Sequence, residues 1–369
     1  MNLNSNTSHS KYILRCLELA RKGIGKVSPN PFVGCVIVKN GKVIAEGYHK
    51  GFGAPHAEVD AFQNAANSVK GADLYVNLEP CSHHGKTPPC ADKIIEMGIK
   101  RVFIGTQDPN TLVAGNGIKK LKAAGISVES GIEIEKCNEL NRFFFKHITT
   151  ALPYVSLKIA QTLDGYISTT KNDSKWITGE ESRKQVHMMR ASYDAVLIGR
   201  NTAFIDNPEL TVRMVKGRNP KRIVLDTNLS LPINLKLFTN NSDRNTILVT
   251  TAEKFINSKN KIASLTKLNV EVLKVTTNSD GKINLKNLLK KLYKINIGSV
   301  PVDGGAGIYS SFLKADLADE IISFVAPKII GQGISPFQGL SINKISDASS
   351  WGLHSINKYE NDVMLTLRK

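Results

Sequence analysis

The stretch that most constrains this chain is His56-Ala57-Glu58, followed by the run from Pro80-Cys81 to Pro88-Pro89-Cys90. One imidazole and two thiols supply three ligands for Zn²⁺ and leave the fourth tetrahedral position to water, as a catalytic site requires. Glu58, two residues beyond the histidine, can serve that water without being a ligand itself. Eight residues separate the two cysteines, where a Cys-x-x-Cys would put both thiols on one helical turn. The first thiol is therefore expected at a strand end, and the second at the start of a helix near Pro88-Pro89. A fold that satisfies this brings one strand end and two helix starts to a single point. Each residue alone has a plainer explanation. Buried Cys and His are common in cores, Cys/His sets also hold structural zinc, and a Glu in a first helical turn complements the macrodipole. Only the combination points to chemistry.

The first half supplies the elements this requires. Ile13, Leu14, Leu17 and Leu19-Ala20 form a helical stripe over 11–22, stopped by Ser28-Pro29-Asn30-Pro31. Strands over 35–38 and 43–45 flank Asn40-Gly41, a two-residue hairpin signal. A helix is expected from His56 to about residue 68, and a buried strand over 74–78 delivers Cys81. Another strand over 102–104, a helix over 118–123 ended by Gly125, and a single helix over 137–146 follow. Alternating strands and helices predict a layered α/β domain over residues 1–150, with the metal at the strand ends.

Ala151-Leu152-Pro153 marks a boundary, and residues 151–369 read as a second domain. Strand-like runs at 154–160, 195–198, 222–225, 246–249, 270–273 and 299–302 alternate with helices over 180–190, 252–257, 285–293 and 308–313. Such units imply a mostly parallel sheet covered on both faces. Residues 320–325 and 362–367 are expected to pair antiparallel at its edge. Asp303-Gly304-Gly305-Ala306-Gly307 sits between a strand and a helix, where backbone N–H groups can hold phosphates. The same turn also serves as a mere tight connection, and its spacing is not Gly-x-Gly-x-x-Gly.

The bulk properties narrow the partners. At 369 residues the chain has room for two or three domains. Its net charge is +17, but the lysines are scattered among asparagines rather than packed into one block. That pattern suits a solvated surface first and attraction of phosphorylated small molecules second. No nucleic-acid partner is expected, because a clustered basic or aromatic platform is lacking. No run approaches the roughly 18 apolar residues of a membrane span. Residues 1–10 are polar and unlike a secretory leader, and five cysteines are few for the length. A cytoplasmic, reducing location is expected, and self-association into a homo-oligomer stays open.

His-x-Glu ahead of Pro-Cys and a second Cys matches the pattern of zinc deaminases, where the Glu is a general acid and base. More closely, several motifs together resemble the deaminase half of bifunctional riboflavin-biosynthesis deaminase-reductases. They are Asn30-Pro-Phe-Val-Gly34, His49, His56-Ala-Glu58, the Pro80-to-Cys90 run, and Asp108-Pro-Asn110 with Gly115-x-Gly117. The insert between the cysteines, Ser-His-x-Gly-Lys-Thr-Pro-Pro, is the most specific part. It separates the chain from related cytidine and transfer-RNA adenosine deaminases, which have the short spacing. Thr111 departs from the family's usual proline. The second half resembles the reductase half of the same family, a domain similar to dihydrofolate reductase. Its motifs are Lys158-x-Ala160 with Thr162-Leu-Asp-Gly165, Ser174-x-Trp176-Ile-Thr178, Arg190, Gly199-x-x-Thr202, Asp206-x-Pro208-x-Leu210-Thr-x-Arg213 and the Asp303-to-Gly307 loop.

The resemblance implies a cytidine-deaminase-like three-layer α/β domain followed by a dihydrofolate-reductase-like α/β domain. It assigns one Zn²⁺ to His56, Cys81 and Cys90, catalysis to Glu58, and a pyrimidine contact to Asn30. NADPH is expected along Ala160, Trp176, Thr202, Asp206, Thr227, Gly305, Ala306, Gly307 and Ile308. Ser174, Arg190, Leu210, Arg213 and Asp303 are expected to hold the sugar phosphate of the substrate. Asp303 departs from the family's usual Glu, which puts the reach of that contact in question but not its charge. Arg190 and Arg213 suit a phosphate because their planar forks bind it bidentately. The implied activity is zinc-dependent deamination of a diaminopyrimidinone bearing a ribosylamino phosphate, then NADPH-dependent reduction of the ribosyl group to ribityl. The competing reading is a nucleic-acid or nucleoside deaminase with a basic RNA-binding second half. Stabilisation by NADPH rather than RNA separates the two.

Overall fold

The structure, a computed structural model, describes residues 3–82, 88–111 and 113–369, with the backbone alone for residues 3–7. Residues 83–87 of the insert between the cysteines lie outside the described residues. The chain divides into two compact units, Met1–Ala151 and Leu152–Lys369.

In the first unit the elements run α1 (Leu3–Arg21), β1 (Gly34–Lys39), β2 (Lys42–Tyr48), α2 (Ala57–Gln63), β3 (Asp73–Leu78), α3 (Cys90–Glu96), β4 (Arg101–Thr106), α4 (Asn116–Ala123), β5 (Ser127–Ser130), α5 (Ile134–Leu140) and α6 (Arg142–Thr150). The sheet order is β2-β1-β3-β4-β5. β1 is antiparallel to β2 and β3, while β3, β4 and β5 are parallel. Lys39 pairs with Lys42 across Asn40 and Gly41. Both turn residues are left-handed, with φ of 51° and 74°, which is why Asn-Gly suits this hairpin. Along β1, Cys35 and Ile37 face one core with Ala57, Ala61, Ala91 and Ile94. Val36 and Val38 face the other with Ile13, Leu17 and Cys137. A strand buried on both faces needs the continuous apolar run seen there.

Three details differ from expectation. Helix α2 stops at Gln63 rather than near residue 68. Asn64 caps it and donates from its side chain to the Glu46 carbonyl at 2.9 Å, so the chain turns away early. The helix expected over 137–146 is two helices broken at Asn141. The fully buried Asn141 side chain accepts from Phe32 N–H at 2.7 Å and donates to the Phe32 carbonyl at 3.0 Å. Strand β5 was not anticipated, because a four-residue, mostly exposed edge carries little apolar pattern.

The second unit is built on β6 (Tyr154–Thr162), β7 (Ser168–Thr169), β8 (Ala195–Gly199), β9 (Lys221–Leu225), β10 (Thr246–Thr251), β11 (Glu271–Val275), β12 (Ser299–Val302), β13 (Glu320–Ala326), β14 (Gly333–Ile334), β15 (Gly352–Tyr359) and β16 (Asp362–Arg368). Its main sheet has the order β11-β10-β9-β8-β12-β6-β13-β16-β15. The seven strands from β11 to β13 are parallel, and β16 and β15 are antiparallel. The antiparallel pairing of 320–325 with 362–367 is therefore present, but β15 forms the edge. β15 is almost wholly exposed, and its apolar pattern was too weak to read. Helices α7 (Glu180–Ser192) and α8 (Arg200–Asp206) lie between the strands, and α8 and Lys259–Lys267 were not expected. A parallel sheet sends the C-terminal ends of its strands to one edge, where such folds bind ligands.

Candidate active sites

The metal-ligand set of the first unit is assembled as the spacing requires. His56 is the extended N-cap of α2, with φ −69° and ψ 162°. Cys81 lies three residues past β3, and Cys90 opens α3 directly after Pro89. Gly47 on β2 admits α2 so closely that a Cβ there would meet Ala61 N at 2.2 Å and Ala57 O at 2.5 Å. His56 Nδ1 faces Cys90 Sγ at 3.3 Å and Cys81 Sγ at 3.6 Å. All three ligand atoms lie within 4.8 Å of one another. Zinc–sulfur and zinc–nitrogen bonds at a tetrahedral angle demand N···S separations of about 3.5 Å, so this donor set fits the ion. Cys90 first, then His56, stabilises the Cys81 thiolate and holds its thiol well below the ordinary value. That is the form a metal binds.

Beside this set, Glu58 is only 3% exposed. Burial, then the Cys81 charge, pushes its carboxyl above the usual range. His49 Nδ1 lies 3.0 Å from the Pro55 carbonyl, which can only accept. Nε2 is therefore the acceptor for Asn30 Nδ2 at 3.0 Å. Burial lowers the His49 pKa, and its ring packs edge-on to His56 with centroids 5.5 Å apart. Asn30 thus stands beside the ligand set, in a segment fixed at Phe32 by Asn141 and by Asn77.

Glu79 had no role in the sequence reading. It is buried, and its carboxylate accepts the backbone N–H groups of Gly115 at 3.0 Å, Ile118 at 3.1 Å and Asp108 at 3.3 Å. This ties the loop of the Asp108 and Gly115 motifs to the strand end carrying Cys81. An acid closing an apolar strand just before Pro-Cys was the available signal.

In the second unit the singled-out residues line one cavity of about 1920 Å³ at the C-terminal edge of the parallel strands. Ala160 lies on β6, Ser174 and Trp176 on the segment after it, and Arg190 on α7. Thr202 and Asp206 lie on α8, Leu210 and Arg213 follow, and Thr227 comes after β9. Asp303 to Ile308 follow β12 and open the helix Ala306–Lys314. Gly304 permits that entry, because a Cβ there would meet Ile308 Cγ2 at 2.2 Å. Gly305 is the helix N-cap without a side-chain cap, a turn suited to a phosphate of a dinucleotide. Burial raises the Asp206 carboxyl. Arg183 lies over the exposed Trp176 ring at 4.7 Å, and Leu210 is buried in a left-handed conformation with φ 55°.

The shorter Asp303 reaches its neighbours. Its two oxygens meet Lys158 Nζ and Arg190 Nη2, each at 2.8 Å. Burial opposes its charge, yet the two cations outweigh burial and hold the carboxyl well below the usual range. Lys158 belonged to a recognised motif without a role, and Tyr309 donates to its backbone carbonyl at 2.6 Å. His187 went unremarked. It also lines the cavity, one helical turn before Arg190.

Residues 153–365 match the RibD C-terminal domain, and residues 6–106 match the cytidine and deoxycytidylate deaminase zinc-binding region. The riboflavin biosynthesis protein RibD of Aquifex aeolicus is 44% identical over 97% of this chain and 98% of its own. That of Actinobacillus pleuropneumoniae is 41% identical over 96% of this chain and 93% of its own. Among solved structures, a diaminohydroxyphosphoribosylaminopyrimidine deaminase/5-amino-6-(5-phosphoribosylamino)uracil reductase from Thermotoga maritima is 39% identical. Its TM-score is 0.87, with 99% of each chain covered. Acinetobacter baumannii RibD is 35% identical with a TM-score of 0.88, covering 98% of this chain and 99% of its own.

Proposed function

This chain belongs to the RibD family of riboflavin-biosynthesis proteins, and from that premise we propose how its residues share two reactions. The protein is a bifunctional enzyme, a zinc deaminase and an NADPH-dependent reductase. Its substrate is 2,5-diamino-6-(5-phosphoribosylamino)pyrimidin-4-one, deaminated and then reduced from ribosyl to ribityl. Deamination is assigned to residues 1–150 and reduction to residues 151–369. The observation that carries the first assignment is the tetrahedral spacing of His56, Cys81 and Cys90 beside buried Glu58.

Bound on those three ligands, Zn²⁺ supplies the Lewis acidity that activates a water. Glu58 takes a proton from the attacking water and returns one to the departing ammonia. Asn30 and neutral His49 are assigned to the pyrimidine edge. In the second unit NADPH supplies the hydride. Thr202, Asp206, Thr227 and the Gly305-to-Ile308 turn hold the cofactor, with Ala160 and Trp176 beside it. Ser174, Leu210, Arg190 and Arg213 hold the sugar phosphate, and Asp303 acts there by orienting Lys158 and Arg190. We place the enzyme in the cytoplasm. All its cysteines are free, and among the described residues no helix is long and apolar enough to cross a membrane.

The test incubates the purified protein with the diaminopyrimidine ribosyl phosphate, with and without NADPH, and identifies products by mass. Exchange of one amine for oxygen should need no NADPH, and gain of two hydrogens should need it. Cys81→Ser should abolish the first while leaving reduction of supplied deaminated intermediate intact. Loss of both activities in a folded Cys81→Ser protein would refute the division between units.

A further inference from the structure

We propose that His187 selects the substrate's phosphate in the reductase cavity, donating from Nε2 to a phosphate oxygen while Nδ1 is held by the Arg213 backbone. This rests on the reading of that cavity as the reductase site and names one more residue within it. His187 is 4% exposed and lines the cavity. Its Nδ1 accepts the Arg213 N–H at 3.2 Å. An amide N–H can only donate, so Nδ1 is unprotonated and the neutral ring carries its proton on Nε2. Among the described residues nothing accepts that proton. Nε2 is not among the sealed-off unpartnered atoms of the described residues, so it opens on the cavity, where a ligand oxygen can accept its proton.

The surroundings say which ligand. Arg190 lies three residues on along α7, so both side chains share one helix face. Arg213 supplies the N–H to Nδ1, and Ser174 lines the same cavity. Burial first, then the Arg190 and Arg213 charges, pushes the imidazole down to about 4, with only Asp303 opposing. The ring is thus an uncharged donor at neutral pH. Two guanidinium groups beside one neutral, tautomer-fixed donor suit a tetrahedral anion that offers several oxygens at once. Both substrate and cofactor carry phosphate. Arg190, Arg213 and Ser174 are the residues assigned above to the sugar phosphate, so the choice of the substrate's phosphate rests on that assignment.

Two variants separate the ring's two nitrogens. His187→Asn keeps an acceptor near Nδ1 and removes the Nε2 donor, whereas His187→Gln keeps a donor near Nε2. Reductase kcat/KM is measured on the deaminated intermediate and on its dephosphorylated form, with NADPH affinity alongside. His187→Asn should lose about tenfold or more on the phosphorylated substrate and almost nothing on the dephosphorylated one. His187→Gln should recover most of that loss, with NADPH affinity unchanged in both. Equal loss on both substrates, no loss, or weakened NADPH binding would overturn the proposal. If wild type does not prefer the phosphorylated substrate, the phosphate-site reading itself falls. Should either variant fail to fold, histidine ¹⁵N spectra of wild type decide. Saturating ribose 5-phosphate should shift one protonated Nε2, and unchanged histidine signals would refute the contact.

Discussion

Gly117 lies directly beneath Pro80: a Cβ at Gly117 would meet the Pro80 carbonyl oxygen at 2.1 Å and Glu79 Oε1 at 3.2 Å. With the three backbone N–H groups that Glu79 accepts, this contact fixes the strand end from which Cys81 reaches its partners. Gly117→Ala and Glu79→Ala should therefore both weaken the metal site without touching a ligand. Groups that orient metal ligands typically contribute 10–100-fold in affinity or activity. Zinc affinity by chelator competition should fall by about tenfold or more, while reduction of supplied intermediate is unchanged. Unaltered zinc affinity in folded variants would show the clamp is irrelevant to the site.

Glu58→Gln should keep zinc and lose deamination. The side chain is buried beside the ligands but is not one of them, so its removal takes away proton transfer alone. General acid–base catalysis of this kind contributes about 10²–10⁴-fold. Metal content and turnover measured on one preparation check this. Loss of zinc, or retained turnover, would make Glu58 structural.

Asp303→Asn should impair the second unit. Lys158 and Arg190 share this counter-ion in a mostly buried setting, and removing one partner of such a group leaves uncompensated charge. The melting temperature should fall by about 5 °C or more, and reductase kcat/KM should fall with it. Deaminase activity measured at a temperature where both units are folded should not change. Wild-type stability and reduction in Asp303→Asn would mean the ion pairs are dispensable.

A pH dependence follows from His187. Its folded pKa is about 4, against an ordinary 6.5, so the unfolded chain binds the extra proton between those values. Stability from this group is full above about pH 6.5 and declines as pH falls toward 4. Comparing wild type with His187→Asn by thermal melts at pH 5 and 7 isolates it from other titrating groups. The variant should lose less stability than wild type on going from pH 7 to 5. Parallel losses would show that His187 is not held neutral.

The elements that were legible in the sequence are those whose burial leaves an unbroken or alternating apolar record. β3, β12 and the Asn40-Gly41 hairpin are of this kind, and the zinc ligands stood out by residue type and spacing. The break at Asn141 was hidden, because it arises from a side chain drawn to Phe32, distant in sequence. Glu79 and His187 were hidden for the same reason. Only its place at the end of an apolar strand set Glu79 apart from a surface acid, and a pinned imidazole looks like any helix histidine. β15 was missed because an exposed edge strand needs no apolar face.

The lining of this cavity also sets an electrical balance. Ten Lys and Arg side chains, Lys158, Arg190 and Arg213 among them, stand against five Asp and Glu, an excess of five positive charges. His187 adds nothing to that sum at neutral pH. A phosphate monoester carries about −1.5 to −2 at pH 7, so its arrival offsets less than half of that excess. An occupied site therefore pulls on anions less strongly than an empty one, in both cases over roughly a Debye length, about 8 Å at physiological salt. Raising ionic strength should accordingly slow capture of the phosphorylated intermediate more than it speeds its escape.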